Sequence, residues 1–240
     1  MNPVPLYEDK NFLAVYKPAG VLVHKTATSD KKQETKDNTL VDWLLEHYPE
    51  IKNVGDDPQM RPGIVHRLDK DTSGIILIAR NQKYFEYLKN LFQNHEIKKT
   101  YLALVYGKLE PQKGIIEKPI RLKSGSTKRT VWKGKLEKSA ATEYQVLKIY
   151  EVEPHEVVSL IRAVPKTRRT HQIRIHLASI HHPVASDPLY GPKTNPLGLN
   201  RQFLHAESLE WSAEDGKRIK IECELPKELQ EVIDGLKEAK

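Results

Sequence analysis

Short apolar runs alternate with polar breaks along this chain, and their spacing gives the first account of its fold. Phe12-Leu13-Ala14-Val15-Tyr16-Lys17 reads as a strand, Pro18-Ala19-Gly20 turns the chain, and Val21-Leu22-Val23-His24 reads as a second short strand. An early hairpin is therefore expected. Residues 25–38 are polar and poor in apolar side chains, the composition of an exposed, mobile loop. Thr39 then stands where a helix cap is needed. Leu40, Trp43, Leu44 and Tyr48 recur behind it at helical spacing, and Pro49 closes the segment.

The run Gly74-Ile75-Ile76-Leu77-Ile78-Ala79-Arg80 is continuous and apolar, as expected of a central strand covered on both faces. Asn81 is placed to cap the next helix, whose inward stripe is Tyr84, Leu88, Leu91 and Phe92. Thr100-Tyr101-Leu102-Ala103-Leu104-Val105-Tyr106 reads as a strand ended by Gly107, and residues 144–147 and 157–161 favour strands as well. Ile173, Leu177 and Ile180 lie at i, i+4 and i+7, so residues 170–180 form a short amphipathic helix stopped by Pro183. A last helix starts at Pro226 and turns Leu229, Val232, Ile233 and Leu236 inward. No internal repeat or clear linker interrupts the pattern. The expectation is a single strand-rich α+β domain over residues 1–240, with helices packed around a mixed sheet.

Composition adds the class of protein. At 240 residues, 38% hydrophobic and 30% charged, the chain supports a sizeable core. It contains no run of about 18 apolar residues and opens without the basic-then-apolar layout of a secretory signal, so a cytoplasmic protein with no membrane partner is expected. The single cysteine, Cys223, stands between two glutamates that disfavour a thiolate, which makes it structural. Lys and Arg outnumber Asp and Glu by 39 to 32, a mild bias that gains meaning from its distribution. Between 121 and 138 seven basic residues (Arg121, Lys123, Lys128, Arg129, Lys133, Lys135 and Lys138) face one acid, Glu137, and between 162 and 201 the lone acid is Asp187. Either stretch alone is equally a solvated basic face; together they point to phosphate contacts.

The densest set of chemically useful side chains is Arg61-Pro62-Gly63-Ile64-Val65-His66-Arg67-Leu68-Asp69-Lys70-Asp71-Thr72-Ser73-Gly74. It sets a carboxylate, arginine, histidine and two hydroxyls on a loop that enters a buried strand, where catalytic groups tend to lie. By spacing alone the better account is a turn in which Asp69 or Asp71 accepts nearby backbone N–H groups.

Resemblance changes that balance. His66-Arg67-Leu68-Asp69 with Thr72-Ser73-Gly74 resembles the signature loop of pseudouridine synthases of the RluA type, whose aspartate is catalytic. Lys17-Pro18-Ala19-Gly20 with Val23-His24 resembles the family's first block, and Lys99-Thr100-Tyr101 with Tyr106-Gly107 the strand carrying its active-site tyrosine. The run from Arg169 to Leu177, followed by His182-Pro183, Asp187 and Tyr190-Gly191, resembles its last catalytic block, and Phe203-Leu204-His205-Ala206 a segment near its end. One departure is Arg168, where the family commonly has glycine.

The resemblance implies a curved mixed, largely antiparallel β-sheet with flanking helices and a central RNA-binding cleft, and no separate amino-terminal RNA-binding domain of the S4-like kind. It implies an isomerase that flips a uridine of ribosomal or transfer RNA, breaks C1′–N1 and rejoins the base through C5. Asp69 would act as nucleophile or base, Arg174 would keep it ionised, and Tyr101 would stack on the uracil or relay a proton. Arg67 would fill the space the base vacates. Lys17, His66, Arg168, Arg169 and Leu177 would line the RNA site. Judged by spacing, Arg174 is instead a surface helix residue, Tyr101 a half-buried strand aromatic and Leu177 a core residue. The reaction needs neither metal nor redox cofactor, and a monomer is expected. Histidine pairs such as His171 with His176 have the wrong helical spacing for a metal site. The rival readings are a non-catalytic RNA-binding protein using the same basic cleft and, last, a metal-dependent phosphodiesterase.

Overall fold

A computed structural model describes residues 2–25, 38–123, 125, 128–153 and 156–239. The elements run, in chain order, β1 (Val4–Glu8), β2 (Phe12–Lys17), α1 (Leu40–His47), a 3-10 turn (Pro49–Asn53), β3 (Ser73–Ala79), α2 (Gln82–Gln93), β4 (Lys98–Tyr106), β5 (Lys113–Glu117), β6 (Ile120–Leu122), β7 (Arg129–Thr130), β8 (Lys135–Lys138), β9 (Ala141–Glu153), β10 (Glu156–Pro165), α3 (Gln172–Ser179), β11 (Leu204–Ser212), β12 (Arg218–Glu222), α4 (Lys227–Asp234) and β13 (Lys237–Glu238). The fold class is α+β. Residues group into two compact units, Met1–Ile97 with Ser208–Cys223, and Lys98–Glu207 with Glu224–Lys240. Among the described residues no helix is long and apolar enough to cross a membrane.

In the first unit β2 lies antiparallel between β1 and β3, with Phe12 opposite Ala79 and Lys17 opposite Gly74. Successive side chains on a strand point to opposite faces. Phe12, Ala14, Ile75, Leu77 and Ala79 therefore join Phe85, Leu88, Leu91 and Phe92 of α2 in one core, which Trp211, Ile221 and Cys223 complete. Leu13, Val15, Ile76 and Ile78 enter a second core with Leu40, Val41 and Leu44 of α1. Cover on both faces is why residues 73–79 carry no polar alternation. The expected caps are in place: Thr39 and Asp42 form a reciprocal capping box on α1, and Asn81 Oδ1 accepts the Tyr84 N–H at 2.9 Å on α2. On α2, Phe85 replaces Tyr84 as the buried member of the stripe; Tyr84 packs half-buried beside it.

The early hairpin differs from expectation. Its partner strand is β1, and residues 21–24 form no strand because their carbonyls have other work. Leu22 O accepts the Leu40 N–H at 2.8 Å and Val23 O the Val41 N–H at 3.0 Å, satisfying donors that the first turn of α1 leaves open. β1 escaped notice because all five of its side chains are exposed, so it has no apolar period. The polar stretch 26–37, expected to be a mobile loop, lies outside the described residues.

The second unit is built on β10, antiparallel to β4 on one side and to β9 on the other, with β5 and β13 also paired to β9. Ala103, Val105, Ile161 and Ala163 of this sheet pack against Ile173 and Leu177 of α3. The opposite face, with Leu104, Val158 and Leu160, packs against Phe203 and Leu229 of α4. A small antiparallel sheet ordered β7-β6-β8 adds a third cluster, in which Ile120 and Val131 meet Ile175 of α3. Being wedged between two clusters, α3 is buried almost all round, which is why its sequence is a weak amphipath.

Gly63 fixes how the chain enters the motif region. Its φ is +69°, its N–H donates to Val54 O and its carbonyl accepts from Ala79 N–H, while a Cβ there would lie 2.7 Å from Ala79 O. Gly20 also has positive φ, at +84°, but faces open space. We expect Gly63→Ala to cost about 2–3 kcal/mol and Gly20→Ala about 1 kcal/mol in urea unfolding. Equal losses at the two positions would contradict this picture of the turn.

Candidate active site

In the first unit the motif loop hugs the sheet before entering it. Ile64 bridges to Ile78, Val65, His66 and Leu68 are buried, and Arg67 and Asp69 alternate with them, Arg67 exposed and Asp69 partly so. The Thr72 N–H donates to the Asp69 carbonyl at 3.2 Å, closing a turn over Lys70 and Asp71. Turn and functional loop are thus the same object, closed by backbone.

What fixes this turn is Lys17, at the end of β2. Its side chain is wholly buried, and Nζ donates to Pro18 O at 2.8 Å, Val21 O at 2.9 Å and Lys70 O at 2.9 Å. The Gly20 N–H reaches the same Lys70 carbonyl at 3.0 Å. Three charge-assisted bonds offset the desolvation of one ammonium and tie the turn after Asp69 to the turn after β2. His66 ties the loop before the turn to β3. The Leu77 N–H donates to His66 Nε2 at 2.8 Å, so the ring carries its proton at Nδ1, and it stacks on Phe92 with centroids 4.4 Å apart. Nearby, burial and then the charges of Arg67 and Arg61 hold the His24 imidazole below its ordinary 6.5.

In the second unit Tyr101 lies half-buried on β4, opposite Ala163, and packs on the core beneath α3. Lys99, two residues earlier and so on the same face, is 5% exposed. Burial, and then the charge of Arg168, push its ammonium down to about 8. Arg174 is buried in α3, and Asp187 takes its guanidinium through Nε at 2.7 Å and NH2 at 2.8 Å. Asp187 Oδ1 also accepts the N–H groups of Leu189 and Tyr190, and the Tyr190 ring lies 5.3 Å from the guanidinium carbon. Sequence reasoning noticed Asp187 without giving it a task; its standing as the only acid in a basic stretch was the available clue. Arg169 Nε donates to Ser139 O, and Arg168 is exposed.

One expectation changes. Arg174 is a buried ion-pair member and not a surface helix residue. Lys17, His66 and Leu177 are buried and engaged within their own units. Two histidines of the second unit are likewise held by side-chain contacts: His171 Nδ1 meets Tyr190 Oη, and His176 bridges Thr142 Oγ1 and Lys118 O. Asp69, Arg67, Lys17 and His66 belong to the first unit; Tyr101, Arg168, Arg169, Arg174 and Leu177 belong to the second.

A sequence model of the RNA pseudouridylate synthases matches residues 11–179, a span that contains Asp69, Tyr101 and Arg174. The chain belongs to the RNA pseudouridylate synthase family. Among curated pseudouridine synthases it is 36% identical over 233 residues to YlyB of Bacillus subtilis, covering 96% of this chain and 72% of that one. An RNA pseudouridine synthase of Aquifex aeolicus is 40% identical over 190 residues, covering 79% and 56%. Ribosomal large subunit pseudouridine synthase D of Nitrosomonas europaea is 36% identical over 243 residues, covering 97% and 64%. The chain therefore spans between 56% and 72% of the length of these relatives. The pseudouridine synthase fold is shared with human RNA pseudouridylate synthase domain containing 1, at a TM-score of 0.78 and 24% identity over 99% of this chain and 89% of that one. Pseudouridine synthases are isomerases that act on RNA.

Two outcomes follow for this pseudouridine synthase family member. Lys17→Met removes the donor shared by three carbonyls from the end of a buried strand and should lower stability by about 3 kcal/mol in urea unfolding. An unchanged midpoint would remove Lys17 as the tie. Lys99 works in the opposite sense. Its folded value near 8 lies below its ordinary 10.5, so the charged form opposes folding fully below pH 8 and ceases to do so above pH 10.5. Lys99→Met should therefore be the more stable protein at pH 7, by at most about 3 kcal/mol at about 1.4 kcal/mol per pKa unit. The gap should close as pH rises from 8 to 10.5; a constant gap would contradict the assignment.

Proposed function

We propose that the chain isomerises uridine in ribosomal or transfer RNA to pseudouridine, with Asp69 as the reacting carboxylate. The observation that carries this reading is the Asp69 turn: a partly exposed carboxylate in the family's signature loop, on a backbone fixed by Lys17 and a buried strand. A group positioned before substrate arrives needs no reorganisation during reaction. Asp69 opens the C1′–N1 bond, as nucleophile on the sugar or base or by removing a ribose proton, and the freed uracil turns to bond through C5. Atoms and oxidation state balance within the nucleotide, so neither metal nor redox cofactor is called for.

Arg174 holds Asp69 ionised in this reading, and Asp187 keeps the guanidinium from turning away. Tyr101 stacks on the uracil, and Arg67, exposed beside the turn, enters the space the base leaves. Arg168 and Arg169 take backbone phosphate. The reading requires both units to serve one uridine as a single catalytic domain, and we place the enzyme in the cytosol as a monomer.

Substrate RNA carrying tritium at uracil C5 should release it to water with the wild-type chain. Asp69→Asn should slow release by about 1,000-fold or more while RNA binding persists. Release by this variant at the wild-type rate would refute the assignment.

A further inference from the structure

The small β7-β6-β8 sheet of the second unit has a surface that none of the foregoing roles uses. Trp132, in the turn between β7 and β8, is 67% exposed, although its neighbour Val131 is buried in the cluster beneath. Exposure of so large a ring is not slack. Its backbone is pinned: the Trp132 N–H donates to Thr130 Oγ1 at 3.0 Å, Arg121 NH1 donates to Val131 O at 2.8 Å, and Trp132 O lies 3.3 Å from the same nitrogen. Gly134 packs so closely that a Cβ there would lie 2.5 Å from Leu122 O. The Lys118 ammonium stands 5.8 Å from the ring centroid. The ring borders a hollow of about 440 Å³ lined also by Arg121, Lys133 and Gly134.

Charge around the ring is one-sided. The nearby acid, Glu137, is taken by Arg121. Arg129, Lys133, Lys135 and Lys138 make no ion pair among the described residues. A second hollow of about 200 Å³, against the same sheet, is lined by Arg129, Lys138, Arg168 and Arg169. An open aromatic face bordered by Lys118, Arg121 and Lys133 suits a ligand with its own π-face and a negative charge beside it. An apolar protein surface would bring neither the charge these cations need nor a reason for them.

We propose that this small sheet is a docking subsite for an unpaired nucleotide of the substrate RNA, its base stacked on Trp132 and its phosphate held by Lys118 and Lys133. The inference rests on the function proposed above and adds a property of the target: the RNA must offer an unstacked base away from the reacting uridine. Paired bases hide their faces, so loops and single strands are selected.

The test uses the full chain and a single-stranded oligouridine of about 12 nucleotides, with an RNA hairpin stem as comparison. Oligouridine should quench the fluorescence lost in Trp132→Phe, and the stem should not. Trp132→Ala should weaken oligouridine binding by about 5- to 100-fold, and Trp132→Phe, which keeps a ring, by much less. Lys133→Gln should lower the slope of log affinity against log salt by about 0.7. Binding by Trp132→Ala equal to wild type, or equal losses in the alanine and phenylalanine variants, would overturn the proposal. Tritium release by the wild-type chain separates the two readings. Release with no contribution from Trp132 sinks the subsite alone, whereas stacking on Trp132 without any release sinks the isomerase and leaves the subsite.

Discussion

The ammonium of Lys17 is withdrawn from water and divided among three backbone carbonyls, one of which belongs to the residue following Asp69. An unpaired buried charge costs several kcal/mol, so this arrangement persists only while all three acceptors stay in place. That makes the lysine a geometric constraint: the turn after β2 and the turn after Asp69 cannot move independently. The neighbouring interactions extend the same constraint. The Gly20 N–H shares the Lys70 carbonyl, the Thr72 N–H closes the turn on Asp69 O, and His66 accepts from the backbone of β3. A carboxylate on such a support is held by the whole buried sheet rather than by its own loop.

The second unit handles charge differently. Arg174 is paired with and oriented by Asp187, around which the backbone of 187–191 folds. Lys99 sits close behind Tyr101 with burial and Arg168 opposing its charge, an arrangement that weakens folding at neutral pH. The basic small sheet with its exposed tryptophan belongs to the same unit. The first unit thus carries Asp69 and the second the basic small sheet.

Much of this was legible in the chain. Residues 74–80 announced a doubly covered strand, Thr39 and Asn81 announced caps, and the His66-to-Gly74 loop with its companion blocks announced the family. Patterns that depend on burial contrast were readable because burial is what they encode. β1 was not, because an edge strand with every side chain exposed has no contrast to display. Residues 21–24 misled because apolar side chains beside a glycine turn resemble a strand, while their carbonyls were needed by α1 across the unit. The tie made by Lys17 was not legible, since nothing local marks a lysine that finds an acceptor 53 residues away. Asp187 was visible as a lone acid among cations, but only folding shows that it clamps Arg174.

The account stands or falls on one chemical event at the supported carboxylate. The most direct measurement is a nucleotide-by-nucleotide map, by carbodiimide adducts and primer extension, of cellular RNA incubated with the purified chain. The account expects new pseudouridine at a small set of uridines in exposed loops and none anywhere with the Asp69→Asn variant. RNA that is bound but leaves the wild-type protein with every uridine unchanged would contradict it.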